Sequence, residues 1–197
     1  SARYEEAFST INTAIEIDPF SYGSKSMHAT ILFAMGRRDE AFRYMEELSK
    51  SYPEYPNSYW WLANRYCRIG EYDRALSMLE KQYAVTQEND NPSDEIALEG
   101  AIYARLGRIA EAEKQLNKLD ELALQGFYVW PRTRATILLG LGRLDEAFDL
   151  IEEAIADHTI APTFLVHFIN ESFASHPRYI ELMKKMGLDP QRFNIGT

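Results

Sequence analysis

The sequence holds one cysteine, Cys67, in 197 residues. No intrachain disulfide can form, so the cysteine count gives no support for a secreted disulfide scaffold. Long apolar runs are missing too: no stretch approaches the roughly 18–20 residues that a bilayer-spanning helix needs. Basic charge is in deficit, with 21 Lys and Arg against 30 Asp and Glu and a net charge of −9. That balance disfavours nucleic acid or an anionic membrane as the main partner, because both select basic faces. The four histidines, His28, His158, His167 and His176, are scattered, and none has a second His or Cys at the helical spacing of a metal site. His28 falls on a mostly interior helix face and is expected to be packed rather than a ligand, and Cys67 to behave as a small hydrophobe. Gly140-Leu141-Gly142 lacks the preceding strand and third glycine of a phosphate loop. Asn170-Glu171-Ser172 has the form of a glycosylation acceptor but lies inside an expected helix. No nucleophile with its base stands out, and the paired carboxylates fall on solvated helix faces. Neither catalysis nor a metal or cofactor is expected.

What the sequence does have is a repeat. Gly36-Arg37-Arg38-Asp39-Glu40-Ala41 returns as Gly70-Glu71-Tyr72-Asp73-Arg74-Ala75, Gly107-Arg108-Ile109-Ala110-Glu111-Ala112 and Gly142-Arg143-Leu144-Asp145-Glu146-Ala147. A copy without its glycine, Ala2 to Ala7, opens the chain. The glycines stand 34, 37 and 35 residues apart, a period that marks stacked supersecondary units. Each glycine lies between two amphipathic segments, so the unit reads as helix, glycine turn, helix. The acidic residues after the glycine then meet the positive end of the second helix. If the alanine five residues on is where the two helices approach closest, its partner must be small as well. Seven residues before the glycines stand Ala29, Ala63, Gly100 and Ala135. Large apolar residues at Leu32, Tyr66, Tyr103 and Leu138, and at Met45, Leu79, Leu116 and Ile151, complete the buried stripe.

These positions resemble the tetratricopeptide repeat, shown in the second unit by Tyr59, Leu62, Ala63, Tyr66, Ala75 and Leu79, with Pro19 and Pro53 closing the first two units. The resemblance implies an all-α, right-handed superhelical solenoid of antiparallel helix pairs with a C-terminal helical cap, forming a single domain. Repeats are expected at 22–55, 56–87, 93–126 and 128–158. A lone second helix over 2–19 precedes them, capping helices over 161–188 follow, and a tail runs over 189–197. Three further expectations concern the joints. Pro56 sits in a first helical turn. The polar stretch 86–90 lengthens a loop before the Asn91-Pro92-Ser93-Asp94 helix start, and Pro131 makes the first helix of the fourth repeat begin late. The tail His176-Pro177-Arg178-Tyr179, followed by a short helix and Gly187-Leu188, resembles the end of such repeats in bacterial multidomain regulators, winged-helix transcriptional activators and nucleotide cyclases among them. The parent is therefore expected to continue upstream and to lie in the cytoplasm, or in the periplasm if it is membrane-anchored.

The resemblance implies a protein-binding scaffold whose first helices line a concave groove. The positions carried over are Ser26, Thr30, Phe33 and Ala34; Trp60, Asn64, Cys67 and Arg68; Ala97, Ala101, Ala104 and Arg105; and Arg132, Thr136, Leu139 and Gly140. Ser26 and Thr30 do not support the family's carboxylate clamp, which needs a lysine and an asparagine there. Thr30, Phe33, Trp60, Asn64, Arg68, Arg105, Arg132 and Thr136 are the expected partner-binding set, with Trp60 as an aromatic anchor and Arg68, Arg105 and Arg132 as a cationic stripe for an acidic peptide. Two alternatives stand beside this. Tyr52, Tyr55, Tyr59, Trp60 and Trp61 could form one inter-repeat cluster while the arginines pair with carboxylates. The apolar face of the lone first helix could instead make the chain a homodimer.

Overall fold

The computed structural model describes residues 2–87, 90–157 and 171–187. All regular structure among them is helical. The chain falls into two compact units, 1–88 and 89–197, and the division lies in the polar stretch expected to be a loop.

The first unit holds α1 (Ala2–Ile17), α2 (Tyr22–Ala34), α3 (Arg38–Ser51), α4 (Pro56–Arg68) and α5 (Tyr72–Val85). Successive helices pack on one another, α1 on α2 through to α4 on α5. The second unit holds α6 (Ser93–Arg105), α7 (Ile109–Leu124), α8 (Pro131–Gly140), α9 (Leu144–Ala156), α10 (Glu171–Ala174) and α11 (Tyr179–Lys185). Here α6 packs on α7 and also on α8, and α8 on α9. The helix expected from Pro162 lies outside the described residues except for α10, as does the tail over 189–197.

One turn builds all four hairpins. Gly36 follows α2 with φ of 82°. Its N–H donates to the Phe33 carbonyl at 3.1 Å, and the Arg37 N–H donates to the Leu32 carbonyl at 3.0 Å. This pair of bonds closes the helix only if the residue after it takes a left-handed conformation, which glycine does without a Cβ penalty. Gly70, Gly107 and Gly142 repeat both bonds at φ of 81°, 73° and 74°. The turn brings the small residues together: Ala41, Ala75, Ala112 and Ala147 have no exposed surface, nor do Ala29 and Ala63. Leu32, Tyr66, Leu138, Met45, Leu79 and Ile151 are buried around them, while Tyr103 and Leu116 are half-buried.

Each turn is also clamped by charge. Arg37 pairs with Glu40 at 2.6 Å, Arg108 with Glu111 at 2.9 Å, and Arg143 with Glu146; in the second repeat the signs are exchanged, Glu71 pairing with Arg74 at 2.7 Å. Exposed pairs like these are screened by water and salt and add little to stability.

Pro56 opens α4 and Pro131 opens α8, which is ten residues long, in keeping with its late start. At α6 the N-cap position is Pro92 rather than Asn91; the Asn91 side-chain oxygen, one residue earlier, accepts from the Ser93 N–H at 3.1 Å while its amide donates to the Tyr128 carbonyl at 2.8 Å. The end of the second unit is covered by Phe173, Tyr179, Leu182 and Met183, which share a core with Leu138, Phe148 and Ile151. Phe173 stacks on Phe148 with centroids 4.6 Å apart, and Arg178 holds the cap by ion pairs to Asp149 at 2.8 Å and Glu152 at 3.1 Å. An atypical last element of this kind keeps the terminal repeat from exposing its apolar face.

Candidate functional site

In the first unit long side chains of α2 reach α4, the first helix of the next hairpin. The Tyr22 hydroxyl meets the Ser58 hydroxyl at 2.9 Å, and Phe33 meets Trp61 edge-on at 5.8 Å. Trp60, Asn64 and Arg68 are spaced four residues apart on α4 and so share one helical face. Trp60 is 37% exposed and Arg68 is exposed. Asn64 is half-buried, and its amide donates to the Trp60 carbonyl at 3.0 Å. Thr30 and Ala34 are exposed on α2, with the Thr30 hydroxyl donating to the Ser26 carbonyl at 3.1 Å. Trp60, Asn64 and Arg68 therefore follow one another along one face of α4, next to the face whose Trp61 and Arg65 meet Phe33 of α2.

The aromatic-rich stretch divides rather than forming one cluster. Tyr52 and Tyr55 join Tyr22, the Tyr22 and Tyr55 rings stacking at 4.3 Å. Trp61 joins Phe33 and Phe42. Tyr59 is buried and donates to the Ser49 carbonyl at 3.4 Å. Among the described residues Trp60 belongs to neither cluster, so a large amphipathic ring is left at the surface, where such rings act as contact anchors.

Phe33 does not line an open face. Its ring is half-buried between Phe42 and Trp61, with the Arg65 guanidinium 4.2 Å from its centroid. Burial, with the charge of Arg68 second, lowers the Arg65 pKa to about 10. Cys67 is buried, as expected of a small hydrophobe. His28 is packed between Phe8 at 5.0 Å and Tyr44 at 4.6 Å, and burial lowers its pKa.

The second unit treats the corresponding positions differently. Ala97, Ala101 and Ala104 are buried, consumed by the close approach of α6 to α8. A Cβ on Gly140 would lie 3.0 Å from the Ala104 Cβ and 3.3 Å from the Ala101 backbone. These residues pack helices instead of facing a ligand. Thr136 is buried, and its hydroxyl donates to the Arg132 carbonyl at 2.8 Å. Arg132 forks onto Asp94 with bonds of 2.8 and 3.0 Å, its guanidinium 5.7 Å from the Trp130 ring. Its charge is therefore already matched, which removes it from the expected cationic stripe. Arg105 is exposed at the end of α6.

The sequence reading missed a cleft in this unit, about 440 Å³ in volume, between α7, α8 and α9. Leu116, Leu138 and Leu150 line it together with Glu113, Asp120, Arg134 and Arg143. The two arginines of its rim are paired, Arg134 with Asp120 at 2.6 Å and Arg143 with Glu113 at 3.2 Å, and with Glu146 and Asp149 also in the lining the cleft carries more carboxylates than cations. The recurring Gly-Arg-x-x-Glu clamp was the available signal for half of that rim. Among the described residues no group of three or more His, Cys, Asp or Glu could hold a metal ion, and no helix is long and apolar enough to cross a membrane.

Comparison with known proteins agrees with the hairpin geometry. Residues 26–92 match the family model described as Tetratricopeptide repeat. The fold is similar to that of a tetratricopeptide repeat protein from Parabacteroides merdae, with a TM-score of 0.56 at 19% identity, covering 93% of this chain and 67% of that one. It is also similar to YrrB, described as a TPR protein with an unusual peptide-binding site, with a TM-score of 0.52 at 17% identity, covering 94% of this chain and 93% of that one. No curated protein matches.

Proposed function

We propose that this chain, built of tetratricopeptide repeats, is a protein-interaction scaffold that takes a peptide segment on the α4 face carrying Trp60, Asn64 and Arg68. The observation that carries the reading is Trp60, exposed and outside the ring clusters that hold Tyr52, Tyr55 and Trp61, of which Tyr55 is exposed as well. Aromatic and arginine side chains grouped on one face are what binding hot spots are made of. That a similar fold, YrrB, is described by its peptide-binding site is consistent with it. Arg105 is assigned to a further contact on the second unit.

The test is to pan a displayed peptide library on the chain and on a Trp60→Ala, Asn64→Ala variant whose circular dichroism is unchanged. Peptides enriched on the wild type and lost on the variant support the assignment. Equal enrichment on both moves binding off this face, and no enrichment on either rejects a peptide ligand.

The likeness of the His176–Tyr179 tail to the ends of bacterial regulators supports a finer proposal, that the chain is the regulatory part of a signalling or transcription-regulating protein. Joining the chain to the output domain of its own parent and measuring output with and without the selected peptide tests this; an unchanged output rejects it. Ile17 and Phe20, 81% and 83% exposed beside the half-buried apolar residues of α1, favour a second reading as a self-assembly element. A monomer at all concentrations in light scattering would eliminate that reading.

A further inference from the structure

The two units treat one gap in opposite ways. Counted from the turn glycines, Phe42 and Glu46 of α3, Tyr66 of α4 and Arg74 of α5 correspond to Glu113 and Asn117 of α7, Leu138 of α8 and Glu146 of α9. In the first unit these side chains fill the gap. Phe42 stacks on Tyr66 with centroids 5.2 Å apart, and the Tyr66 hydroxyl donates to Glu46. Arg74 passes 4.0 Å from the Tyr66 ring to pair with Glu46 at 2.6 Å. In the second unit the phenylalanine becomes a glutamate, the tyrosine a leucine and the crossing arginine a glutamate. What remains is the cleft of about 440 Å³, crossed by Arg143 to Glu113 at 3.2 Å. Ligand clefts have volumes of about 300–1,000 Å³.

Leu116 shows the consequence. Met45, Leu79 and Ile151, at the same position of their repeats, are buried, whereas Leu116 is half-buried and opens onto the cleft. Leu150, also half-buried, and Leu138 complete an apolar floor. Around it the lining carries four carboxylates against two arginines, and the pairing leaves acceptor positions over. Both Arg134 bonds to Asp120 go to Oδ1, at 3.2 and 2.6 Å, and Arg178 meets Asp149 at Oδ1 while also holding Glu152. Among the described residues no donor meets Oδ2 of either aspartate. The side chains of Asp120 and Asp149 are 62% and 69% exposed and that of Arg134 only 27%, so an arriving group meets carboxylates before guanidinium. Apolar floor and acidic rim together suit a side chain with an aliphatic stem and a cationic head.

We propose that the cleft between α7, α8 and α9 is a second docking site, taking a segment of a partner protein in which lysine or arginine neighbours an aliphatic residue. The aliphatic group lies on Leu116, Leu138 and Leu150, and the cation bonds to Asp120 and Asp149. The net charge of −9 draws such a segment in and repels a polyanion. The site goes beyond the α4 face and does not depend on Trp60.

The probes are the fluorescein-labelled pentapeptides Lys-Leu-Lys-Leu-Lys and Lys-Ser-Lys-Ser-Lys, titrated with the full chain at low ionic strength and followed by anisotropy. The leucine peptide is expected to bind about fivefold or more tightly than the serine peptide, since only it covers the apolar floor. The double variant Asp120→Asn, Asp149→Asn, at exposed positions, is expected to weaken it about tenfold. Asp73→Asn, Glu80→Gln removes the same charge from exposed positions of α5 and is expected to leave binding unchanged. Glu113→Phe, Leu138→Tyr installs the rings that fill the gap in the first unit and is expected to abolish binding at unchanged circular dichroism. Equal binding of the two peptides, equal loss in the α5 variant, unchanged affinity in the Asp120, Asp149 variant, or no binding to the wild type would overturn the proposal. So would a filled variant that folds and still binds. If the leucine peptide is lost on Trp60→Ala, Asn64→Ala instead, the cleft falls and the α4 reading stands. If it is lost only on the Asp120, Asp149 variant while no selected peptide depends on Trp60, the cleft stands and the α4 face falls.

Discussion

Gly100→Ala sets two local rules against each other. In a helix interior alanine is favoured over glycine by about 1 kcal/mol, so propensity alone predicts a more stable protein. Packing predicts the opposite. A Cβ at position 100 would lie 2.7 and 2.8 Å from Cδ1 and Cγ1 of Ile137 and 3.0 Å from the Gln115 Cβ. Ordinary carbon contacts are about 3.5–4.0 Å. Ile137 has no exposed surface and Gln115 is 3% exposed, so neither can swing into solvent. Forcing one extra carbon into such a site costs about 1–3 kcal/mol. The net expectation is a destabilisation of about 1 kcal/mol, read as a lower urea midpoint at unchanged m by circular dichroism. Ile137→Ala removes both clashing carbons at its own cost of about 2–5 kcal/mol. The double variant should then be more stable than the sum of the singles by about 1 kcal/mol or more. A stabilised Gly100→Ala that adds to Ile137→Ala without coupling would refute the argument, and with it the claim that α8 decides which residue α6 carries.

Burial keeps His28 from taking up its proton, lowering its folded pKa below the ordinary value of 6.5. The unfolded chain then binds more protons as pH falls through about 6.5, so stability present at pH 7 declines towards pH 5. His28→Phe should flatten that part of the stability–pH curve, and an unchanged slope would reject the assignment. Phe173→Ala should cost about 3–5 kcal/mol, because the ring is fully buried and stacked on Phe148. Hydrogen exchange in α8 and α9 should rise most, and protection equal to wild type would show the cap to be dispensable. Breaking the Arg132–Asp94 fork, whose arginine side chain is 18% exposed, should show a coupling of about 1 kcal/mol or more in a double-mutant cycle with alanine at both positions. Zero coupling would leave Arg132 available as the groove cation the resemblance implied.

The repeat could be read from the sequence because its determinants are local. A glycine that must be left-handed, an acidic first turn and small residues at a fixed offset are all set within about 12 residues, and the four turns from Gly36 to Gly142 close as that spacing requires. The site was less legible. Equivalent positions in a repeat share a backbone, but their neighbours differ, and neighbours decide whether a side chain faces a partner or a helix. Ala101 is buried because α8 brings Gly140 against it, and Arg132 is neutralised because Asp94 stands opposite it. Phe33 is withdrawn because Trp61 and Arg65 close over its ring. The sequence by itself determined the hairpins, their turns and the small-residue contacts, through steric and hydrogen-bonding requirements that act over one or two helical turns. Only the tertiary structure decided which aromatics joined the packing clusters and which arginines met a carboxylate, since both depend on groups brought together from separate helices.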